Sequence, residues 1–265
     1  MTRITLGQYY PTGSVVHRLD PRVKLAGTIM YIVFLLMVNH FTGYIIAAFF
    51  VGLLVCLSKV PPKFLLRGLR SIMFILIFIS VINLFVTPGQ NVIFAVGFLS
   101  VTAEGVFMAI QMAIRLILLL SGTSVLTLTT SPIELTDGIE FLLKPLKVIK
   151  VPAHEIAMMM TIALRFIPTL SDEMEKIIKA QKARGADFDS GGLIKRAKSL
   201  LPIMVPLFVS AFKRADELAT AMEARCYRGD VGRTRMKEMK MKPVDWVGFG
   251  TMVIFGILLL LTRLL

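Results

Sequence analysis

Apolar and charged positions alternate along this chain in long blocks. From Leu25 to Ser58 there are 34 consecutive positions without Asp, Glu, Lys or Arg; Ser71–Ala103 gives 33 more, Leu116–Ile133 gives 18 and Trp246–Thr262 gives 17. A helix needs about 20 mainly apolar residues to cross a bilayer core, so the first block is long enough for two crossings. Asn39-His40-Phe41-Thr42-Gly43 supplies the turn between them. The pattern predicts helices over 22–38, 42–58, about 66–86, from near 105 through 130, and over 244–262. The third breaks at Thr87-Pro88-Gly89-Gln90-Asn91, and the short apolar stretch Val92–Leu99 reads as a loop with interfacial residues. The first 20 residues hold no apolar core, which argues against a secretory signal.

About 110 residues separate the fourth and fifth predicted crossings, and here the period changes to that of amphipathic helices. The first such helix, Pro132 to Leu146, opens with Ser131 as N-cap, Pro at the first helical position and Glu134 in the first turn. The second follows Val151-Pro152 and runs to Arg184-Gly185, with Phe166, Ile167, Leu170, Met174, Ile177 and Ile178 on one face. The third runs from about Leu193 to Cys226 with a stripe at Val205, Phe208, Val209, Phe212, Ala215, Ala219 and Met222, and Pro202 and Pro206 are expected to bend it. These stripes would either lie in the headgroup interface or pack beneath the membrane bundle. The fold class is therefore all-α integral membrane: five transmembrane helices, with three cytoplasmic amphipathic helices between the fourth and fifth. The domains expected are 1–130, 131–243 and 244–265.

Composition agrees: 55% of the 265 residues are hydrophobic and 18% charged, against nearer a quarter charged in an ordinary soluble domain. The net charge of +13 is informative through its placement. Arg3, Arg18, Arg22 and Lys24 precede the first helix; Lys59, Lys63, Arg67 and Arg70 follow the second; twenty Lys and Arg lie in 144–242. The remaining two are Arg115 and Arg263, and the turns at 39–43 and 87–103 carry none. This positive-inside asymmetry predicts a multi-pass protein of the cell (cytoplasmic) membrane, with the N-terminus and the 131–243 segment cytoplasmic and the C-terminus outside. It also assigns the basic charge to the lipid bilayer surface rather than to nucleic acid, for which 176–242 has too few interleaved aromatics.

Chemistry-bearing motifs are sparse. No phosphate-cradling G-x-x-x-x-G-K-[ST] loop occurs, so ATP hydrolysis by the chain itself is not expected. Asp189-Ser190-Gly191-Gly192 lacks the flanks of an ABC signature and reads as a loop. His154-Glu155 lacks a second His, and the three histidines are too dispersed to argue for a metal; Cys56 and Cys226 cannot build a disulfide framework. An integral-membrane lipid-modifying enzyme would have only Asp137, Glu140 and His154 to work with. A self-contained carrier would have only Arg115 and Asn83 as intramembrane polar residues. Arg115 lies mid-helix and is either a structural hydrogen-bond anchor or a partner contact.

What stands out is a repeated helix end. The second amphipathic helix closes on Ala183-Arg184-Gly185 and the third on Ala224-Arg225-Cys226, 41 residues later. Each Arg can be a solvated cation at the negative end of its helix, or a planar fork inserted into a partner.

The run His17-Arg18-Leu19-Asp20-Pro21-Arg22-Val23-Lys24-Leu25 resembles the N-terminal signature of the transmembrane T component of energy-coupling factor transporters. Further matches are Thr129-Thr130-Ser131-Pro132-Ile133-Glu134-Leu135, Ala163-Leu164-Arg165-Phe166-Ile167-Pro168, Ala180-Gln181-Lys182-Ala183-Arg184-Gly185-Ala186 and Ala221-Met222-Glu223-Ala224-Arg225-Cys226-Tyr227-Arg228-Gly229. The resemblance spans roughly 14–262. It implies a non-catalytic scaffold joining two ABC-type ATPase subunits to a membrane-embedded S-component that captures a vitamin or metal ion. ATP and Mg would belong to the ATPases, with no cofactor in this chain. By resemblance, Arg184 and Arg225, flanked by Ala183, Gly185, Ala224 and Cys226, dock the ATPases, and Arg165 joins Arg115 as a structural or partner contact. Because Gly permits a left-handed cap and Cys does not favour one, the Cys226 end is expected to terminate differently from the Gly185 end.

Overall fold

The computed structural model describes residues 9–87, 91–96, 99–186, 188, 192, 198–229 and 240–264. Positions 189–191 of the expected loop, the start of the third amphipathic helix at 193–197, and the basic stretch 230–239 lie outside the described residues. The elements in order are α1 (Val15–Arg18), α2 (Pro21–Leu36), α3 (Phe41–Ser58), α4 (Pro62–Val86), β1 (Val92–Val96), β2 (Leu99–Thr102), α5 (Ala103–Thr129) and α6 (Pro132–Leu143). A 3-10 turn, Lys144–Ile149, leads to α7 (Ala153–Ala183), α8 (Leu201–Ala224) and α9 (Pro243–Leu264). The chain forms two compact units, one of residues 7–141 and 239–265, the other containing 142–238.

In the first unit, α3, α4, α5 and α9 are long and apolar enough to cross a membrane. The expected first crossing differs. Helix α2 has 16 residues, about 24 Å at 1.5 Å per residue, short of a hydrocarbon core of about 30 Å. It is nonetheless the centre of the packing, with Tyr31 and Leu35 almost wholly buried. Around them Val38, Tyr44, Ala47, Val51, Leu118, Phe255 and Leu259 form one core drawn from α2, α3, α5 and α9. The rings of Phe50 and Phe255 stack at 4.2 Å. Small residues set the approach: a Cβ on Gly122 of α5 would run into the Tyr31 ring, whose hydroxyl donates to the Leu118 carbonyl at 2.6 Å.

Two local expectations are corrected. The 92–102 stretch is an antiparallel hairpin rather than a loop, pairing Val92 with Thr102 and Val96 with Leu99, with an irregularity between Val92 and Phe94. Its composition, rich in Val, Ile, Phe and Thr, suits a pleated surface. Helix α6 stops at Leu143 rather than Leu146 because Pro145 removes a donor and forces the 3-10 turn, which ends at Lys150 with φ 62°. Its start agrees with the expected cap: Ser131 Oγ accepts from the Glu134 amide at 3.3 Å while Glu134 Oε2 accepts from the Ser131 amide at 3.2 Å, a capping box.

In the second unit α7 and α8 run antiparallel. Gln181 Nε2 donates to the Pro202 carbonyl at 3.4 Å, whereas Ile162 and Phe166 share an apolar cleft with Leu218 and Met222. Pro168 and Pro206 are inside the two helices, and Pro202 occupies the first turn of α8.

Candidate functional site

The two repeated helix ends have one backbone geometry. At the end of α7, Arg184 is the C-cap with φ −82° and ψ 4°, and Gly185 follows at φ 87°. The Ala186 amide donates to the Gln181 carbonyl at 3.0 Å and the Gly185 amide to the Lys182 carbonyl at 3.0 Å, the paired bonds of a Schellman cap. At the end of α8, Arg225 is the C-cap with φ −92° and ψ 11°. The Tyr227 amide donates to Met222 at 3.0 Å and the Cys226 amide to Glu223 at 2.9 Å.

The expectation of a different termination at Cys226 is therefore overturned: Cys226 takes the left-handed conformation at φ 54°. A left-handed residue with a Cβ costs roughly 1–2 kcal/mol, and the two cap hydrogen bonds outweigh that cost. In both motifs the cap carries the backbone away sharply after the Arg. Arg184 and Arg225, with Ala183, Gly185, Ala224 and Cys226, are all exposed. What these tips can do chemically is present a guanidinium, with five donors in a fixed fork, beyond the last helical turn.

Of the other candidates, Arg165 is exposed on α7. Arg115 is engaged. Its Nη2 donates to the Val38 carbonyl and its Nε to the Tyr44 hydroxyl at 3.0 Å, while that hydroxyl donates to the same Val38 carbonyl at 3.2 Å. Val38 follows the short helix α2, so its carbonyl has no intrahelical partner. A carbonyl left over past a helix end needs donors from elsewhere in the protein or from water. Arg115 and Tyr44 supply those donors, an anchoring geometry for the break between α2 and α3.

Sequence reasoning missed a second polar cluster, built on the His17–Leu25 motif. Asp245, at the start of α9 and 2% exposed, accepts from the Asp20 amide and from the Lys242 amide, each at 2.7 Å. Lys24 Nζ donates to the carbonyls of His17 at 3.0 Å and of Thr129 at 2.9 Å. The His17 ring donates from Nε2 to the Tyr10 carbonyl at 2.8 Å, and its Nδ1 is hydrogen-bonded with the Ser14 hydroxyl at 2.7 Å. The Arg22 guanidinium lies 4.2 Å from the Phe141 ring centroid. These residues tie the N-terminal stretch to the ends of α5 and α9. The only sequence signal is the motif itself, since Asp245 is 225 residues from the amide it binds. Asp137 and Glu140 lie on α6, with Glu140 buried, and among the described residues no group of three His, Cys, Asp or Glu side chains could hold a metal ion.

Long apolar helices around an aromatic core, with ionic chemistry at helix ends and breaks, define a multi-span helical membrane protein. The family model for CbiQ, described as cobalt transport protein, matches residues 12–237. The chain belongs to this family, whose relatives here are energy-coupling factor transporter transmembrane proteins. It is 57% identical over 252 residues to the energy-coupling factor transporter transmembrane protein EcfT of Ruminiclostridium cellulolyticum, covering 95% of this chain and 94% of that protein. It is 58% identical over 245 residues to that of Clostridium kluyveri, covering 92% and 91%. To that of Bacillus subtilis it is 45% identical over 260 residues, covering 98% and 96%.

Proposed function

We propose that this chain is the coupling subunit of an ATP-driven importer, a non-catalytic scaffold at the cell membrane. Arg184 and Arg225 dock two ABC-type ATPase subunits, which hold ATP and Mg. The motion of the ATPases is passed through α7 and α8 to a membrane-embedded S-component carrying a vitamin or other micronutrient. In this reading the N-terminus and the α7–α8 unit face the cytoplasm.

The observation that carries the proposal is the shared Schellman geometry at two Arg-bearing helix ends, maintained at Cys226 against the residue's own preference. A solvated cation needs no particular cap, whereas a fork entering a groove needs the backbone to turn away from it. A charge-assisted hydrogen bond contributes about 1.5–3 kcal/mol, so losing one tip weakens docking on the order of 10- to 100-fold. Two tips act bivalently, so one substitution leaves partial assembly. The test is co-purification from membranes with co-expressed ATPase subunits. Arg184→Ala or Arg225→Ala alone should retain some ATPase, and the double variant should lose it while remaining folded in the membrane. Lys replacements should restore docking only in part, because an ammonium lacks the planar fork. Lys213→Ala, an exposed cation of α8 away from the tip, should behave as wild type. Full retention of ATPases by the double variant refutes the docking role.

A further inference from the structure

The α7–α8 contact is apolar and rich in alanine, with Ala211, Ala215 and Ala219 on the α8 side of the cleft. The three alanines offer only shallow ridges between the larger Leu218 and Met222, so this stretch of α8 interlocks less with Ile162, Phe166 and Leu170 than a wall of large side chains would. Besides the exposed Gln181–Pro202 bond near one end, a side-chain polar cluster crosses the contact midway. Glu173 of α7 accepts from the Ser210 hydroxyl at 2.5 Å through Oε1 and from Arg214 Nη2 at 3.1 Å through Oε2. Ser210 and Arg214 are one turn apart on the same face of α8, so both carboxylate oxygens are held from two heights of one helix.

The position of this clamp is its informative property. Glu173 precedes Arg184 by eleven residues, and Arg214 precedes Arg225 by eleven. At 1.5 Å per residue each tip lies about 16 Å from the clamp along its own helix. Because the helices are antiparallel, the arms point in opposite directions and the tips stand about 33 Å apart at most. A rotation of about 10° about the clamp moves a tip by roughly 3 Å along its arc.

We propose that Glu173, Ser210 and Arg214 form a pivot that fixes the crossing of α7 and α8 midway between the two docking arginines, so that the tips move as the ends of one lever. Glu173 and Arg214 are positioning residues, and the inference rests on the docking role proposed above. The bland alternative is an ordinary surface ion pair. The side chains are 26% and 37% exposed, and pairs that exposed add little to stability. A pivot makes a different demand: it holds an angle, and it does so even where it contributes little to folding.

The experiment uses the full chain in nanodiscs, alone and with its ATPases, in a Cys56→Ser, Cys226→Gly background that takes the place of wild type as the reference for width, shift and ATPase co-purification. Spin labels at Lys182→Cys and Glu223→Cys, both exposed beside the tips, report the tip separation. We expect one narrow distance that shifts between ADP and ATP–vanadate. Glu173→Gln, nearly isosteric and able to keep the Ser210 bond, should widen the distribution measurably, and Arg214→Ala should roughly double its width. In both variants the nucleotide-dependent shift should fall at least twofold while the ATPases still co-purify. The exchange Glu173→Arg with Arg214→Glu should restore the narrow distribution. Reference width and shift in both single variants, or an exchange that fails to narrow the distribution, overturns the pivot. So does loss of the ATPases from the Glu173→Gln complex at unchanged width, which would assign Glu173 to docking. The width measured on the chain alone does not depend on docking, so failure of the docking role and failure of the pivot are read separately.

Discussion

Cys226 takes a backbone conformation that its own chemistry does not favour. The Schellman bonds at Met222 and Glu223 hold it at φ 54°, where glycine would sit without steric cost. Cys226→Gly should therefore firm the end of α8 by about 1 kcal/mol, seen as roughly fivefold slower amide exchange at Tyr227. Asp245 presents the opposite case, a residue matched to its site. Truncating it to Ala leaves the Asp20 and Lys242 amides without their acceptor, at about 1–3 kcal/mol each. The expected loss of about 3 kcal/mol should lower Tm in detergent by roughly 6–12 °C. Neither feature could be derived from residue type alone. Cap geometry is set jointly by the last helical turn and the two residues beyond it, and the Asp245 bond closes a loop of 225 residues that no local periodicity reports.

Among the helices, what was legible followed from period and length. The limits of α3, α4, α5, α7 and α9 lie within about four residues of those that the apolar blocks predict, because blocks of that length leave little freedom. Helix α2 has the sequence pattern of a full crossing and is short, since apolar residues continue through Met37 and Val38 while the helix does not. Its end depends on donors from Arg115 and Tyr44, which lie on other helices. The stripe on α8 was legible as a face, but it divides: Ala215, Ala219 and Met222 line the cleft with α7, whereas Phe208 and Phe212 are exposed. Close approach was not legible either. Gly122→Ala should force α5 away from α2 and cost several kcal/mol of overpacking, detected as loss of monodisperse protein on gel filtration or a strongly lowered Tm. At the α7–α8 crossing, the Ser210 hydrogen bond and then Arg214 and Lys176 hold the Glu173 carboxyl below the usual carboxylate range, against the opposing effect of desolvation. A depressed folded pKa gives a contribution present above the unfolded value and lost as pH falls through the folded one. The spin-label distance across α7 and α8 should thus be constant from pH 8 to pH 5 and widen only in stronger acid.

For the whole molecule, the charge distribution makes a claim about orientation that labelling can settle. Cysteines placed at Asn39 or Asn91 should react with an impermeant thiol reagent from outside intact cells, and one at Lys198 only after permeabilisation. Labelling at Lys198 from outside would place the α7–α8 unit on the wrong side for ATPases. The helical membrane class and the family were legible from hydropathy and from motif order along nearly the whole chain. The geometry of the arginine tips was not, because it depends on the path the backbone takes past each helix end, which sequence pattern leaves open.

The constant offset of 41 residues, which relates Glu173 to Arg214 and Arg184 to Arg225, has a consequence for the kind of partner this chain can serve. Two antiparallel helices whose contacting residues are also the equivalent ones are related by a local dyad, and the axis passes through the contact. The Gln181–Pro202 bond at one end and the shared cleft of Ile162 with Met222 at the other fall on the same relation. A single chain thus presents a pseudo-twofold pair of handles, and closed two-fold assemblies are the partners for which such a pair is geometrically matched. Two ATPase subunits arranged about their own dyad would be gripped equivalently. The two grips still differ beside each arginine, where Lys182, Gly185 and Ala186 of the first tip correspond to Glu223, Cys226 and Tyr227 of the second, and there two non-identical subunits could be told apart.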